Sequence, residues 1–199
     1  MSIRFLAAAL FAAVSTPAIG QAPAATAAAT QEVPVAIDTT AGRIVVALDK
    51  THAPITTANF LHYVDTHRYD GETFYRAMPN GTGGLIQGGI RSNALKLFPP
   101  IKHEPTSETG LHNVAGAISM ANAGPGTARA DFFILASDIP ALDATATDPG
   151  FAVFGHVVDG MDVVQKILAS PVSPTKGEGA MKGQMLDPPV KIVRVERVK

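Results

Sequence analysis

The sequence contains no cysteine and no tryptophan, and neither sign of charge predominates. The absence of cysteine excludes disulfides, thiolate nucleophiles and cysteine-based zinc sites. The chain has 199 residues, and its 16 Lys+Arg and 17 Asp+Glu leave a formal net charge of -1. This near balance argues against binding to nucleic acids or anionic membranes, because proteins that bind them usually carry a basic excess. Six histidines remain as possible ligands or bases.

The first thirty residues differ in composition from the rest of the chain. Arg4 is their only charged residue, and an apolar run over residues 5–14 follows it. A run of about ten residues is too short to cross a bilayer, which needs ~20, and the small residue Gly20 comes soon after it. This order is typical of a secretory signal peptide, so we predict a cleaved signal over residues 1–20 and an exported protein. A buried N-terminal helix is the alternative, and Pro17 disfavours it.

Residues 21–32 form a second segment of unusual composition. They read QAPAATAAATQE, which is rich in alanine and threonine and has no apolar periodicity. Low complexity of this kind predicts a disordered linker. The remaining residues, 33–199, are enough for one domain of ordinary size with its own core.

The pattern of residues after the linker is mainly that of β-strands, with two helical segments. Residues 33–48 alternate between apolar and polar positions around a turn at Gly42 and predict a hairpin. Apolar residues recur at helical spacing after Pro54, and again after Gly160, where Asp159 is the expected N-cap. Further short apolar runs occupy residues 73–78, 84–90, 114–120, 131–136, 151–158 and 190–198. Many short strands separated by turns favour a closed barrel or a sandwich.

Six short segments carry the most specific information. They are FYRAMP at 74–79, LIQGG at 85–89, GAISMANAGP at 116–125, DFFI at 131–134, ALD at 141–143 and FAVFGHV at 151–157. In this order, and nearly in this spacing, they resemble the motifs of the cyclophilin-type peptidyl-prolyl cis-trans isomerases. One such segment alone would be weak evidence, whereas several in the same order are strong evidence. The resemblance covers roughly residues 33 to 198, and the leader and the compact ending resemble the exported bacterial branch of the family.

This resemblance implies a fold and a cellular setting. The fold would be mainly β, a closed eight-stranded antiparallel barrel capped by two α-helices, with the substrate groove on its outer face. The exported branch implies a periplasmic protein that acts on proline-containing polypeptides during their folding. We expect no nucleic-acid partner and no membrane attachment after cleavage. We also expect a monomer, because no exposed apolar helix stripe is left over.

The resemblance further implies a mechanism. Arg76 matches the family's catalytic arginine, and Gln87 matches the glutamine that helps to hold that arginine and the substrate backbone. An X-Pro amide rotates over a barrier of ~18–20 kcal/mol, and in the twisted state the proline nitrogen regains a lone pair. A guanidinium that donates to this nitrogen is favoured only in the twisted state, which is what catalysis requires. Such a reaction needs no cofactor and no metal, and we predict none.

Five further residues match substrate-binding positions of the family: Leu85, Asn122, Phe133, Leu142 and Phe151. The main chain of Asn122 would pair with the bound peptide, and Phe133 would form the floor of a proline pocket. Leu85 and Leu142 would form its walls. Phe151 falls on a groove histidine of the family and would partly replace a ring that is missing elsewhere.

Several positions depart from the family pattern. The family's pocket phenylalanine falls on Gly84, and its tryptophan, which is linked to cyclosporin binding, falls on Ala141. Tyr75 stands where the family has histidine. Asp131 replaces a glutamine and would bring a negative charge close to Arg76. The missing ring removes apolar area worth about 25 cal/mol per Å², so we expect weaker cyclosporin binding and lower activity.

Two other classes of function remain open. A divergent cyclophilin could bind proline-containing segments as a chaperone with little turnover, and Gly84, Asp131 and Ala141 favour this hypothesis. A hydrolase or metal enzyme could use Ser119 with histidine and aspartate residues, but neither a G-x-S-x-G nor an H-E-x-x-H motif is present. Solvated or core histidines explain the six histidines more simply.

Overall fold

An antiparallel β-sheet forms most of the structure. The computed structural model describes residues 31–91 and 93–198. Its strands, in chain order, are β1 (Glu32–Thr39), β2 (Gly42–Asp49), β3 (Thr73–Asn80), β4 (Gly83–Gly89), β5 (Ala117–Met120), β6 (Phe132–Leu135), β7 (Val153–Asp159), β8 (Val172–Ser173) and β9 (Met185–Arg197). The predicted hairpin corresponds to β1 and β2, which pair along their whole length.

The sheet closes into a barrel. Its strands follow one another in the order β1, β2, β7, β5, β6, β4, β3 and β9, and β9 pairs with β1 to complete the ring. All of these pairings are antiparallel. The two-residue strand β8 adds to the edge of β9. The predicted closed eight-stranded antiparallel barrel is therefore confirmed, with one short strand in addition.

Three α-helices accompany the barrel in the described part of the chain. They are α1 (Pro54–Asp65), α2 (Thr106–Thr109) and α3 (Met161–Leu168). Helices α1 and α3 are the two predicted ones, and their apolar sides pack against the barrel, with Phe60, Val64 and Ile167 buried. Helix α2 is a single turn that the sequence did not predict. None of the helices within residues 31–91 and 93–198 is long and apolar enough to cross a membrane.

The prediction that Asp159 caps α3 is wrong. Asp159 is the last residue of β7, and Gly160 is the N-cap, with a φ of 88° and no side-chain hydrogen bond to the helix. A Cβ atom at this position would overlap the carbonyl oxygen of Arg43. The close approach of the two chain segments, together with the positive φ, therefore requires glycine where a side-chain cap would otherwise stand.

Helix α1 is capped from a distant part of the chain. Its own N-cap, Ala53, offers no side-chain acceptor. The buried carboxylate of Glu104 accepts hydrogen bonds from the backbone N–H groups of Ile55 and Thr56 at 3.0 and 2.7 Å, and from the Thr56 hydroxyl at 2.6 Å. The first N–H groups of a helix have no partner within the helix. Glu104 therefore satisfies them and holds the loop that precedes α2 against α1.

The two faces of the sheet carry two separate apolar clusters. The larger one, the inner cluster, contains aromatic rings with centroid separations of 5.0 to 5.6 Å: Phe60, Tyr69, Phe74, Phe132 and Phe154. The smaller one, the outer cluster, consists of Leu85, Ala117, Phe133, Leu135, Ile139 and Val153. Successive residues of a strand point to opposite faces, so Phe132 belongs to the inner cluster and Phe133 to the outer cluster.

The predicted signal peptide, 1–20, and all but the last two residues of the predicted linker, 21–32, lie outside the described residues. Those last two residues already belong to the ordered domain. Glu32 is the first residue of β1, and the Gln31 carbonyl oxygen accepts a hydrogen bond from the Lys50 N–H at 3.0 Å. The barrel thus begins slightly before the predicted boundary at residue 33.

Candidate active site

A bulge in β3 brings two consecutive side chains to the outer face of the barrel. The pairing of β3 with β4 shifts between Phe74 and Arg76, which leaves Tyr75 as the extra residue. Phe74 and Ala77 both lie in the inner cluster, so Tyr75 and Arg76 share the opposite face. A regular strand would have turned one of these two side chains into the core.

The guanidinium of Arg76 is held by two glutamine side chains. Its Nη1 donates to Gln87 Oε1 and its Nε donates to Gln184 Oε1, both at 2.8 Å, while Nη2 lies 3.3 Å from Met78 Sδ. Burial lowers the pKa of Arg76, but arginine keeps its charge at neutral pH. Within residues 31–91 and 93–198, no carboxylate forms an ion pair with it. The site therefore has a positioned cation whose charge is not neutralised.

A chain of hydrogen bonds continues from Gln87 to a half-buried carboxylate. Gln87 Nε2 donates to the Tyr75 hydroxyl at 2.8 Å, and this hydroxyl donates to Asp131 Oδ2 at 3.2 Å. Burial, followed by the charge of Asp131, raises the pKa of Tyr75. An ionised Asp131 can only accept hydrogen bonds, so Tyr75 donates to it and accepts from Gln87, which leaves the Gln87 oxygen for Arg76. The side chains of Tyr75 and Gln87 thus lie between Asp131 and Arg76 and connect them by hydrogen bonds.

Arg76, Gln87 and Phe133 lie in a row across three neighbouring strands. Arg76 on β3 pairs with Gln87 on β4, and Gln87 pairs with Phe133 on β6. Directly paired residues have side chains on the same face, with Cβ atoms about 4.5–5.5 Å apart. The row therefore sets a charged donor beside an amide and an aromatic ring on the outer face.

The predicted pocket residues surround that ring. Leu85 and Phe133 are both in the outer cluster, and Leu142 and Phe151 pack against it. The rings of Phe133 and Phe151 are 5.4 Å apart and nearly perpendicular, at 81°, an arrangement that aromatic pairs prefer. The Phe151 N–H donates to the Leu142 carbonyl oxygen at 2.9 Å. The structure thus brings these four residues together beside Gln87.

Gly84 cannot carry a side chain in this structure. Its φ is 143°, and a Cβ atom would overlap the carbonyl oxygen of Met78. The side chains of Met78 and Phe151 pack against the outer cluster. Ala141 is exposed in the turn formed by residues 140–142. The backbone therefore excludes a ring at Gly84. At the other departing position, the exposed Ala141 offers only a methyl group.

Asn122 lies apart from the outer cluster, in a depression of the surface that Gln87 also lines. Its Oδ1 accepts a hydrogen bond from the Gly124 N–H at 3.0 Å. In the described part of the chain, its own peptide N–H and C=O take part in none of the loop hydrogen bonds, so they are available to a bound peptide. The depression has a volume of about 360 Å³, and its polar lining consists of Tyr75, Gln87, Arg91, Asn122, Thr127, Arg129 and Asp131.

Gln184 is the residue of this site that the sequence analysis missed. It lies 108 positions after Arg76, in a glycine- and proline-rich loop whose contacts could not be read from the sequence. Gln184 reaches the site because the next residue, Met185, pairs with Arg76. That pairing depends on the register between β3 and β9, which no local motif reveals. Tyr75 was noted only as a departure, not as a link to Asp131.

The serine and histidine residues do not form a hydrolytic arrangement. The buried Ser119 hydroxyl donates to Asn113 Oδ1 at 2.8 Å, and Asn113 in turn donates to Asp143. His112 contacts Asp143 at 2.8 Å but is exposed. Among the described residues, no three histidine, aspartate or glutamate side chains are grouped so that they could hold a metal ion.

Comparisons with known proteins agree with this geometry. A family model described as cyclophilin type peptidyl-prolyl cis-trans isomerase/CLD matches residues 34–197. Peptidyl-prolyl cis-trans isomerase A of Dickeya dadantii is 42% identical over 144 residues, which are 70% of this chain and 73% of the relative. A peptidyl-prolyl cis-trans isomerase of Acinetobacter baylyi is 40% identical over 166 residues, 81% of this chain and 84% of the relative. In fold, a crystal structure of a Cryptosporidium parvum cyclophilin type isomerase matches with a TM-score of 0.68 at 21% identity, covering 85% of this chain and 99% of that one.

Proposed function

The chain belongs to the cyclophilin-type peptidyl-prolyl cis-trans isomerases, and we propose that it accelerates the isomerisation of X-Pro bonds in polypeptides that fold after export. The observation that carries this proposal is the row of Arg76, Gln87 and Phe133 across β3, β4 and β6. It combines a hydrogen-bond donor of fixed direction with an aromatic ring of the outer cluster.

The proposed reaction begins with the proline ring seated against Phe133, with Leu85, Leu142 and Phe151 around it. The backbone of the residue before proline pairs with the main chain of Asn122. The contacts with the proline ring hold one side of the X-Pro bond, and the carbonyl group of the preceding residue turns relative to it.

Arg76 acts on the bond as it rotates. A planar amide nitrogen is a poor acceptor because its lone pair is delocalised, and twisting restores the lone pair. A hydrogen bond from Arg76 to this nitrogen is therefore stronger in the transition state than in either ground state, and only such a difference raises the rate. Each ~1.4 kcal/mol of difference is worth a tenfold rate. Gln87 holds the guanidinium through Nη1 and faces the substrate backbone.

The test is an isomerase assay on a proline-containing tetrapeptide. We expect the wild type to accelerate isomerisation, and Arg76→Ala to lower kcat/KM by about 100-fold, the loss that follows removal of one donor to the transition state in other enzymes. Arg194→Ala is the matched control, because Arg194 is exposed on β9 and its guanidinium forms an ion pair with Glu196. An inactive wild-type protein, or equal activity of both variants, would rule the proposal out.

A chaperone that binds proline-containing segments without much turnover is the second candidate. It is favoured by Gly84, where the backbone leaves no room for a side chain, because the missing side chain reduces the apolar area that can contact a proline ring. Peptide binding measured by fluorescence polarisation separates the two candidates. Retained binding, together with equal isomerisation rates for wild type and Arg76→Ala that do not exceed the uncatalysed rate, would support the chaperone and contradict the enzyme.

The setting that we propose is the periplasm. It rests on the signal-like residues 1–20 and on the low-complexity segment that follows them. The partners there would be many unfolded or loop segments that contain proline, and the protein would act as a monomer. Fractionation of cells that express the full-length chain tests the location, and light scattering of the purified protein tests the oligomeric state.

A further inference from the structure

The loop before β9 supplies the second hydrogen bond to Arg76. Gln184 Oε1 accepts from Arg76 Nε at 2.8 Å. We propose that Gln184 is a positioning residue for Arg76, which fixes the direction of the guanidinium toward the reacting nitrogen without touching the substrate. The inference rests on the proposed isomerase function, and neither the sequence motifs nor the comparisons assign a role to Gln184.

The backbone of Gln184 is fixed on both sides, which is what a positioning residue needs. Its N–H donates to the Met181 carbonyl oxygen at 3.1 Å, and its carbonyl oxygen accepts from the Ala77 N–H at 3.0 Å. The preceding Gly183 has a φ of 78°, and its N–H donates to Lys176 at 3.0 Å. The positive φ favours glycine and lets the loop turn into β9. Gln184 is therefore tied to the residue that follows Arg76 on β3.

The chemistry of the contact favours positioning over charge compensation. A carboxylate at the Gln184 position would also accept from Nε, but it would neutralise part of the charge that Arg76 needs. An amide oxygen accepts the same hydrogen bond and carries no net charge. Gln184 and Gln87 together fix two nitrogens of a rigid planar group, and two contacts define its plane where one would allow rotation. Donors on Nη1 and Nη2 remain for the substrate.

Gln184→Ala is expected to lower kcat about tenfold and to leave KM within a factor of two, because Gln184 acts on the orientation of a donor and makes no contact with the ground-state peptide. Lys182→Ala is the matched control, since Lys182 is an exposed residue of the same loop. Gln184→Leu, which keeps an apolar side chain of similar bulk and has no hydrogen-bond acceptor, should repeat the loss if Gln184→Ala folds poorly. Unchanged kcat in both variants would overturn the inference.

A double-mutant cycle tests whether the effect passes through Arg76. In an Arg76→Ala background, Gln184→Ala should cause no further loss of kcat/KM, since the side chain that it orients is gone. A second loss of about tenfold in that background would mean that Gln184 acts by another route, and the inference would be wrong.

A readout that does not depend on activity keeps the inference separate from the proposed function. The hydrogen-bonded Arg76 Nε–H should exchange slowly with solvent by NMR, and Gln184→Ala should accelerate this exchange at least tenfold. Gln184→Glu, which restores an acceptor, should restore the protection. If the wild type shows no isomerase activity, the proposed function fails, whereas equal exchange in wild type and Gln184→Ala contradicts the positioning role alone.

Discussion

In the described part of the active site, burial disfavours the ionised form of the Asp131 carboxyl group. Burial raises its pKa, against the opposing effects of the hydrogen bond from Tyr75, the positive charge of Arg91 and the nearby N–H of Ile90, while Glu72 adds to the rise. Its Oδ1 is buried and has no hydrogen-bond partner among residues 31–91 and 93–198. An ionised group in such a place costs free energy, and the hydrogen bond from the Tyr75 hydroxyl to Oδ2 offsets part of that cost.

The raised pKa of Asp131 predicts a pH-dependent difference in stability between wild type and Asp131→Asn. A carboxyl whose folded-state pKa lies above its unfolded-state value favours folding when it is protonated and loses that contribution as pH rises through the folded-state pKa. At pH 7, Asp131→Asn should therefore have the larger free energy of unfolding. The difference should shrink as the pH falls through the raised pKa, because the wild-type carboxyl then becomes neutral too.

Urea unfolding at neutral and acidic pH measures this difference. Asp159→Asn is the control, because Asp159 is exposed at the end of β7. A difference between wild type and Asp131→Asn that is the same at both pH values would show that burial of the charge is not its cause.

At the scale of one strand, the adjacent residues Phe132 and Phe133 of β6 belong to different apolar clusters. Phe132 is fully buried in the inner cluster, where its ring contacts those of Phe60, Tyr69 and Phe74. Phe133 is also buried, but in the outer cluster against Phe151. The two adjacent rings thus pack on opposite faces of the sheet, and we expect Phe132 to serve stability and Phe133 to serve substrate binding.

Replacing each phenylalanine by leucine should separate the two tasks. Phe132→Leu should lower the free energy of unfolding by about 1–3 kcal/mol, the usual range for disturbing a packed core, with kcat/KM near that of the wild type. Phe133→Leu should cost less stability and lower kcat/KM several-fold, mainly through KM, because the ring that supports proline is lost. Denaturant unfolding and the tetrapeptide assay on both variants provide the comparison. If Phe133→Leu were the less stable variant and kept full activity, Phe133 would be an ordinary core residue.

At the scale of the elements, patterns of period two and local turn signals were sufficient to predict most strands. The hairpin of β1 and β2 and the helix after Pro54 appear where their apolar spacing indicated. What could not be predicted depends on contacts between distant segments. The capping of α1 by Glu104 joins residues about fifty positions apart, and the choice of Gly160 over Asp159 at α3 follows from the nearness of Arg43.

The whole barrel decides which of the motif residues meet. The resemblance of the motifs to a known family predicted the barrel and assigned roles to Arg76, Gln87 and Phe133, which the strand order then brings into one row. The same strand order brings Gln184 to Arg76 by way of β9, and no motif marks that contact. Motifs identify residues on neighbouring strands. The contact between Arg76 and the loop before β9 joins residues 108 positions apart, so it can be found only from the three-dimensional structure.

Closure of the barrel by the two ends of the domain leads to a prediction about the first thirty residues. β1 lies between β2 and β9, and its first residue is Glu32. A chain that starts at Gln31 keeps every described strand, so its free energy of unfolding and its kcat/KM should match those of a chain that starts at Gln21. A chain that starts at Thr40 lacks β1 and should not fold, because β2 and β9 each lose a partner strand.

The same truncation tests the proposed export. In a Gram-negative host, the full-length chain should be recovered from the periplasmic fraction with the mass of residues 21–199, while the chain that starts at Gln31 should stay in the cytoplasm and be active after purification. Recovery of the full-length mass from the cytoplasm would contradict the signal peptide. Loss of folding on removal of residues 1–30 would instead mean that this segment contributes to the stability of the domain.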